Sequence, residues 1–222
     1  LAGISLLCRV MSCPNENAWD CAMHMIKWMY QNRERGIKFS SAADVNPMAF
    51  SDASNNSDPH DGKCQFGYCV MMSGAPVIAV SKKLNHVSPS GSASHCEYMA
   101  LCECNKSVVW LRNLLHELKL DELIKNPTPV YGDNKQANSL CVEHFVSPGN
   151  QYIYLPYHFN KEVCELGLVD VKFIRTKFNL ADLMTKPVSK GVIDSLLMKF
   201  CGYDVMTFQD AERLLDVKEG AN

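Results

Sequence analysis

Four carboxylates stand out in this 222-residue chain for where they fall. Asp52 ends an alternating, strand-like segment, and Glu97 heads a long amphipathic helix. Asp133 follows the short strand-like run Pro129-Val130-Tyr131, and Asp182 lies in the first turn of a late helix. Strand ends and helix starts are where chemistry collects in α/β sheets. Acids that converge there can hold divalent cations, which prefer hard oxygen ligands. Taken singly, each acid also has an ordinary role. Ser94 and Glu97 have the spacing of a capping box. Asp52 and Asp133 can form strand-terminal turns, and Asp182 suits the positive end of a helix. Singly the ordinary roles win; jointly, four carboxylates at such termini, two of them on core-facing registers, favour a cation site. Stepping by four and three residues from Glu97 gives Leu101, Cys104, Val108, Leu111, Leu115 and Leu118, an apolar stripe about five turns long. A carboxylate at the head of a core-facing stripe is costly unless something positive meets it.

The elements that must position these acids follow in order. Residues 1–42 read as a separate helical segment. Asn17 with Asp20 can start its helix, and Trp19, Ala22, Met23, Ile26 and Met29 form a core stripe. From Pro47 the texture is that of strands: a first one carrying Met48, Phe50 and Asp52, a polar loop from Asn55 to Gly62, then Gln65 to Met72. A turn at Ser73-Gly74-Ala75-Pro76 leads into Val77 to Ser81. Short connections make these three an antiparallel meander. The long helix comes next, then the fourth strand, with Asn134 capping a helix through Cys141. Tyr157 to Leu166 reads as a helix stopped by Gly167, and Leu168 to Arg175 as a strand. Asn179 can cap the helix that carries Asp182 and is broken by Pro187. Val192 to Phe200 is the last amphipathic helix, and residues 204–222 form a polar tail. This order predicts an α/β mixed sheet with helices on both faces.

Composition excludes several classes. The chain is 47% hydrophobic and 21% charged, as in an ordinary globular protein. No apolar run approaches the ~18 residues that span a bilayer, and no segment reads as a signal peptide. The net charge of −2 is not that of a simple nucleic-acid binder. With four of the 24 acids committed to cations, however, 22 bases face 20 acids and local basic patches become available. The 11 cysteines show no CxxC pair. A zinc site from His95, Cys96, Cys102 and Cys104 is disfavoured because a helix scatters them around its cylinder. Reduced, mostly buried thiols in an intracellular protein are expected instead.

Several segments, in collinear order over about residues 47–200, resemble the ribonuclease H domain of copia-type LTR retrotransposon polyproteins. They are Ser51-Asp52-Ala53-Ser54, Gly67-Tyr68, Ser81-Lys82-Lys83, Glu97-Tyr98-Met99-Ala100-Leu101, Trp110-Leu111-Arg112, Tyr131-Gly132-Asp133-Asn134, Tyr157-His158-Phe159 and the run from Leu180 to Pro187. Residues 1–42 resemble the thumb or connection segment upstream in the same polyproteins, through Pro14, Trp19 and Gly36-Ile37. The resemblance implies a ribonuclease H-like domain over 43–203 with a five-stranded mixed sheet. It implies an active site of Asp52, Glu97, Asp133 and Asp182 holding two Mg²⁺ ions, or Mn²⁺ as substitute, with Asp52 bridging both. The implied activity is hydrolysis of the RNA strand of an RNA·DNA hybrid, leaving 5′-phosphate and 3′-hydroxyl ends. The implied partner is the polymerase domain of the same polyprotein. The implied setting is the cytoplasm, in a virus-like particle, or the nucleus.

Candidate contacts to the hybrid are Lys82, Lys83, Asn134, Lys172, Arg175, Lys177 and Lys186. The loop before the last acid, Thr176-Lys177-Phe178-Asn179, holds no histidine, and His158 is read as structural. Three other readings compete. A polymerase would use Tyr131-Gly132-Asp133-Asn134 as a catalytic hairpin, but the sequence after it reads helical. An integrase would share the fold with three acids. A decayed module would bind nucleic acid without cutting it.

Overall fold

The computed structural model describes residues 2–54, 62–84, 93–142, 154–186, 188–205, 207 and 210, with residues 154–157 as backbone only. The expected loop at Asn55 to Gly62, apart from Gly62 itself, lies outside these residues. So do Pro187 and most of the tail.

Two short helices lead, α1 (Ala2–Cys8) and α2 (Glu16–Gln31). Three strands follow: β1 (Met48–Ser54), β2 (Gln65–Met72) and β3 (Ala75–Lys83). The long helix α3 (Ala93–Glu117) precedes β4 (Thr128–Gly132) and α4 (Lys135–Ser139). Then come α5 (Tyr154–Glu165), β5 (Val169–Phe173), α6 (Asp182–Thr185) and α7 (Lys190–Phe200). The strands form one sheet in the order β3-β2-β1-β4-β5. β1, β2 and β3 pair antiparallel, whereas β4 runs parallel to both β1 and β5. This is the five-stranded mixed sheet with helices on both faces that the sequence predicts.

Period-two alternation sends the two sets of side chains to separate cores. Ala49, Phe66, Tyr68, Val70 and Val130 pack with α3 residues Tyr98, Leu101, Cys104, Val108 and Leu111. On the opposite face Met48, Phe50, Cys69, Met71 and Tyr131 pack with Ile174, Leu180, Ala181 and Leu196. The predicted stripe of α3 is buried through Leu115. Leu118 falls past the helix end and is 58% exposed. Buried polar pairs fix the register of α3. Arg112 donates to the carbonyls of Ile124 and Asn126 and to Thr128 Oγ1, which ties the helix to the start of β4. Asn105 donates to Asn160 Oδ1, and Asn160 donates to the Tyr98 carbonyl, which ties it to α5. A buried amide leaves few alternatives to such partners.

The structure corrects several expectations. The β2–β3 hairpin turns on Ser73 and Gly74 alone, both with positive φ, as the type I′ turn of a two-residue hairpin requires. β3 therefore starts at Ala75 and carries Lys82 and Lys83 as strand residues. The cap of α2 is Asn15, whose side chain accepts from the Ala18 N–H, rather than Asn17. No residue of α2 is fully buried, and Trp19, Ile26 and Met29 of the predicted core stripe are 67%, 57% and 56% exposed. The helix meets α1 along another line, where Met25 lies against Gly3. Cys64 and Cys96 form a disulfide, contrary to the expectation of reduced thiols throughout. The other nine cysteines are free; Cys69, Cys102, Cys104 and Cys141 are buried, while Cys8, Cys13 and Cys21 are exposed. Among the described residues, no helix is long and apolar enough to cross a membrane.

Candidate metal centre

The site begins with sheet register. β1 and β4 run parallel with Ser51 opposite Gly132, so Asp52, still within β1 rather than at its end as the sequence suggests, lies beside Asp133, the first residue past β4. Phe50 stacks on Tyr131 one position earlier, with ring centroids 5.2 Å apart, and locks that pairing.

Asp182 arrives from the other direction. Buried Asn179 donates from Nδ2 to the Ser51 carbonyl and accepts at Oδ1 from the Ala181 N–H. One side chain thus joins the backbone just before Asp52 to the turn that starts α6. Gly67 completes the approach: it sits opposite Asp52 in the β1–β2 register, and a Cβ there would collide with Met184 Cβ. Ser81, opposite Gly67, donates to the Met184 carbonyl. Only a residue without a side chain lets α6 lie this close to the sheet.

The result is a triad. One carboxylate oxygen from each of Asp52, Asp133 and Asp182 lies within 4.8 Å of the others. Among the described residues this is the sole group of three or more ligating side chains so gathered, and the cysteines and His95 build no comparable set. Asp52 and Asp182 are 2% and 5% exposed. Glu97 stands outside that close set but bears on it, for it feels the charges of Asp52 and Asp133 and accepts from the Ala53 backbone. The capping-box alternative does not hold: Ser94 is already inside α3, and its hydroxyl bonds Gln136 Oε1 at 2.8 Å.

Hydroxyls orient two of the acids. Thr185 Oγ1 donates to Asp52 Oδ2, and Thr176 Oγ1 donates to Asp133 Oδ2 at 2.7 Å. Lys186 supplies the positive charge, its Nζ 2.9 Å from Asp182 Oδ1 and 3.9 Å from Asp52 Oδ2.

The electrostatics are those of crowded anions. Burial, then the charge of Asp182, pushes Asp52 from 3.8 up to about 7, against the pull of Lys186 and Thr185. Burial, then Asp52 and Asp133, pushes Glu97 from 4.5 up to about 10. Asp182 is raised as well, by burial first, with Lys186 opposing. Burial alone would lower Lys186, but Asp52 and Asp182 more than offset it, so its pKa is raised. These residues fit a divalent cation: every donor is a carboxylate oxygen, and the charge that protons must otherwise neutralise is what such an ion would balance.

The seven predicted nucleic-acid contacts separate in space. Arg175 and Lys177 flank Thr176, the residue bonded to Asp133, and Lys177 lies over the Phe178 ring at 4.7 Å. Lys172, on edge strand β5, pairs with Asp170 at 3.4 Å. Lys82 and Lys83 lie on the opposite edge strand, about 10 Å across two strands from Asp52. Asn134 caps α4 by accepting from the Ala137 N–H, and its Nδ2 reaches Ser94 Oγ at 3.5 Å. Lys186 points into the acids. His158 is exposed near the start of α5. Sequence reasoning missed Thr176, Thr185 and Gln136. Their only signal was proximity to an acid or a cap, and nothing in spacing told a bonded threonine from a surface one.

No protein-family model matches the chain. By sequence it is 27% identical over 196 residues to the retrovirus-related Pol polyprotein from transposon RE2 of Arabidopsis thaliana, covering 88% of this chain and 13% of that protein. It is 25% identical over 188 residues to the corresponding polyprotein from transposon TNT 1-94 of Nicotiana tabacum, covering 85% and 14%. The chain thus spans about one seventh of the length of these two polyproteins. Among solved structures it is similar to LC11-RNase H1 in complex with an RNA/DNA hybrid, at 14% identity and a TM-score of 0.45, covering 68% of this chain and 99% of that one.

Proposed function

We propose that this chain, related over most of its length to the Pol polyproteins of copia-type transposons, is a ribonuclease H that hydrolyses the RNA strand of an RNA·DNA hybrid with two divalent cations. The observation that carries the reading is the gathering of Asp52, Asp133 and Asp182 oxygens within 4.8 Å, with Glu97 beside them, at one end of the sheet.

In this reading Asp52, Glu97, Asp133 and Asp182 are the residues that would hold the two ions. Bound there, Mg²⁺ or Mn²⁺ would supply the Lewis acidity that activates a water and stabilises the leaving 3′ oxygen. The chain's own groups do the rest. Thr185 and Thr176 hold Asp52 and Asp133 in fixed rotamers, as hydrogen bonds to ligating carboxylates do. Arg175 and Lys177 offer positive charge to the phosphates on the Asp133 side, and Lys82 and Lys83 offer it on the far edge. Asn134, with Ser94 and Gln136, presents amide and hydroxyl groups of the kind that read 2′-hydroxyls across a shallow minor groove. The polymerase domain of the same polyprotein would be its partner, in the cytoplasm, a virus-like particle or the nucleus.

The test is cleavage of labelled RNA in a hybrid by the full chain with Mg²⁺. Degradation should require the ion and be abolished by Asp52→Asn or Asp133→Asn. A hybrid left intact at saturating Mg²⁺ would assign the chain to the non-cutting binding modules. Cleavage of duplex DNA would point to integrase-type chemistry.

A further inference from the structure

We propose that Lys186 is a built-in counter-cation of the acid cluster, one that holds the carboxylates together in the metal-free chain and gives way when a divalent ion enters. The proposal rests on the metal-dependent reading above. Lys186 follows α6 directly, and its Nζ contacts Asp182 at 2.9 Å and Asp52 at 3.9 Å. Its charge also acts on Asp133 and Glu97 at longer range. The lysine side chain is 38% exposed, against 3% for Asp52 and 7% for Asp182. It therefore reaches in from the solvent side and keeps a path back out.

The carboxylate oxygens it touches belong to the triad that would ligate an ion. At ordinary Mg²⁺–oxygen distances of about 2.1 Å, an ion on those oxygens would lie within a few ångströms of the ammonium. Two cations that close in a half-buried site repel strongly. The ammonium and the ion thus compete for the same negative charge, and filling the site requires the lysine to turn outward. An ion pair serving only to close α6 would have no such effect on the metal.

Manganese binding by electron paramagnetic resonance on the full chain, together with thermal unfolding in chelator and in saturating Mn²⁺, separates these cases. Lys186→Gln should bind Mn²⁺ about tenfold more tightly, the equivalent of one pK unit of charge interaction. Lys186→Arg, which keeps the charge, should stay near the original affinity. In chelator the Gln variant should melt below the original chain, and saturating Mn²⁺ should close that gap. A Gln variant that folds only with Mn²⁺ present would be the same result in stronger form. Unchanged or weaker Mn²⁺ binding, a melting gap that persists at saturation, or a chain unfolded in both conditions would overturn the proposal. Absence of Mn²⁺ binding by the unaltered chain would instead sink the metal-dependent reading, and this one with it.

Discussion

Replacing Asp52 by Asn should stabilise the metal-free fold while removing activity. Asp52 is 2% exposed, and burial with Asp182 raises it from 3.8 to about 7. Because the folded state holds this proton more tightly than the unfolded chain, stability falls as pH rises from about 4 to 7 and levels off above. Three pH units correspond to about 4 kcal/mol at pH 8. Relaxation and water entry around the ionised group bring the expected gain for Asn to about 2 kcal/mol. The amide oxygen can still accept from Thr185, so the neutral residue keeps that bond. In a chain of this size such a gain raises the melting point by roughly 4–8 °C. The assay is urea unfolding in chelator at pH 5 and pH 8. The Asn variant should be more stable at both, with the larger margin at pH 8, and Mg²⁺ should stabilise only the original chain. An Asn variant less stable at pH 8 in chelator, or a margin that does not grow with pH, would refute the claim that Lys186 and Thr185 only partly offset the burial of Asp52.

Two further outcomes test how the acids are positioned. Thr185→Val and Thr176→Val remove hydroxyls bonded to Asp52 and Asp133, and each should lower hybrid cleavage by about 10–100-fold while circular dichroism is unchanged. Gly67→Ala should cost about 1–3 kcal/mol in urea unfolding, because its Cβ meets Met184 and pushes α6, with Asp182, off the sheet.

How far the sequence reveals this molecule depends on the kind of interaction involved. The period of the α3 stripe and the alternation of β1 and β2 are local, and both predict the observed burial. So do the strand end at Gly132 and the helix start at Asp182. The exposed face of α2 was illegible because amphipathic spacing declares an apolar side without saying whether anything covers it; Trp19 and Ile26 obey the period and face outward. The Cys64–Cys96 bond was illegible for another reason, since it joins residues 32 apart whose meeting depends on where β2 begins relative to α3. Asn179 shows the same limit at the site itself. Its sequence position suggests the cap of α6, but that cap is Ala181; Asn179 accepts from the Ala181 N–H, and its bond to the Ser51 carbonyl spans 128 residues.

The acids converge because the apolar parts of the fold leave them no alternative. Phe50 and Tyr131 stack, Leu180 and Ala181 are fully buried, and Gly67 admits Met184, so Asp52, Asp133 and Asp182 are carried together by contacts that involve none of their charges. Packing of that extent supplies more stabilisation than a few unfavourable charge contacts remove. The core can therefore hold a cluster that would disperse on its own, with Lys186 and bound protons limiting the repulsion. A cation at the triad would act on groups already in place, so no rearrangement of the sheet is needed to form the site. Apart from the outward turn of Lys186, the main change on loading should be proton release from Asp52 and Glu97. At pH 6, where both are held protonated, Mn²⁺ addition in weak buffer should acidify the solution, and the release from Asp52 should vanish in Asp52→Asn.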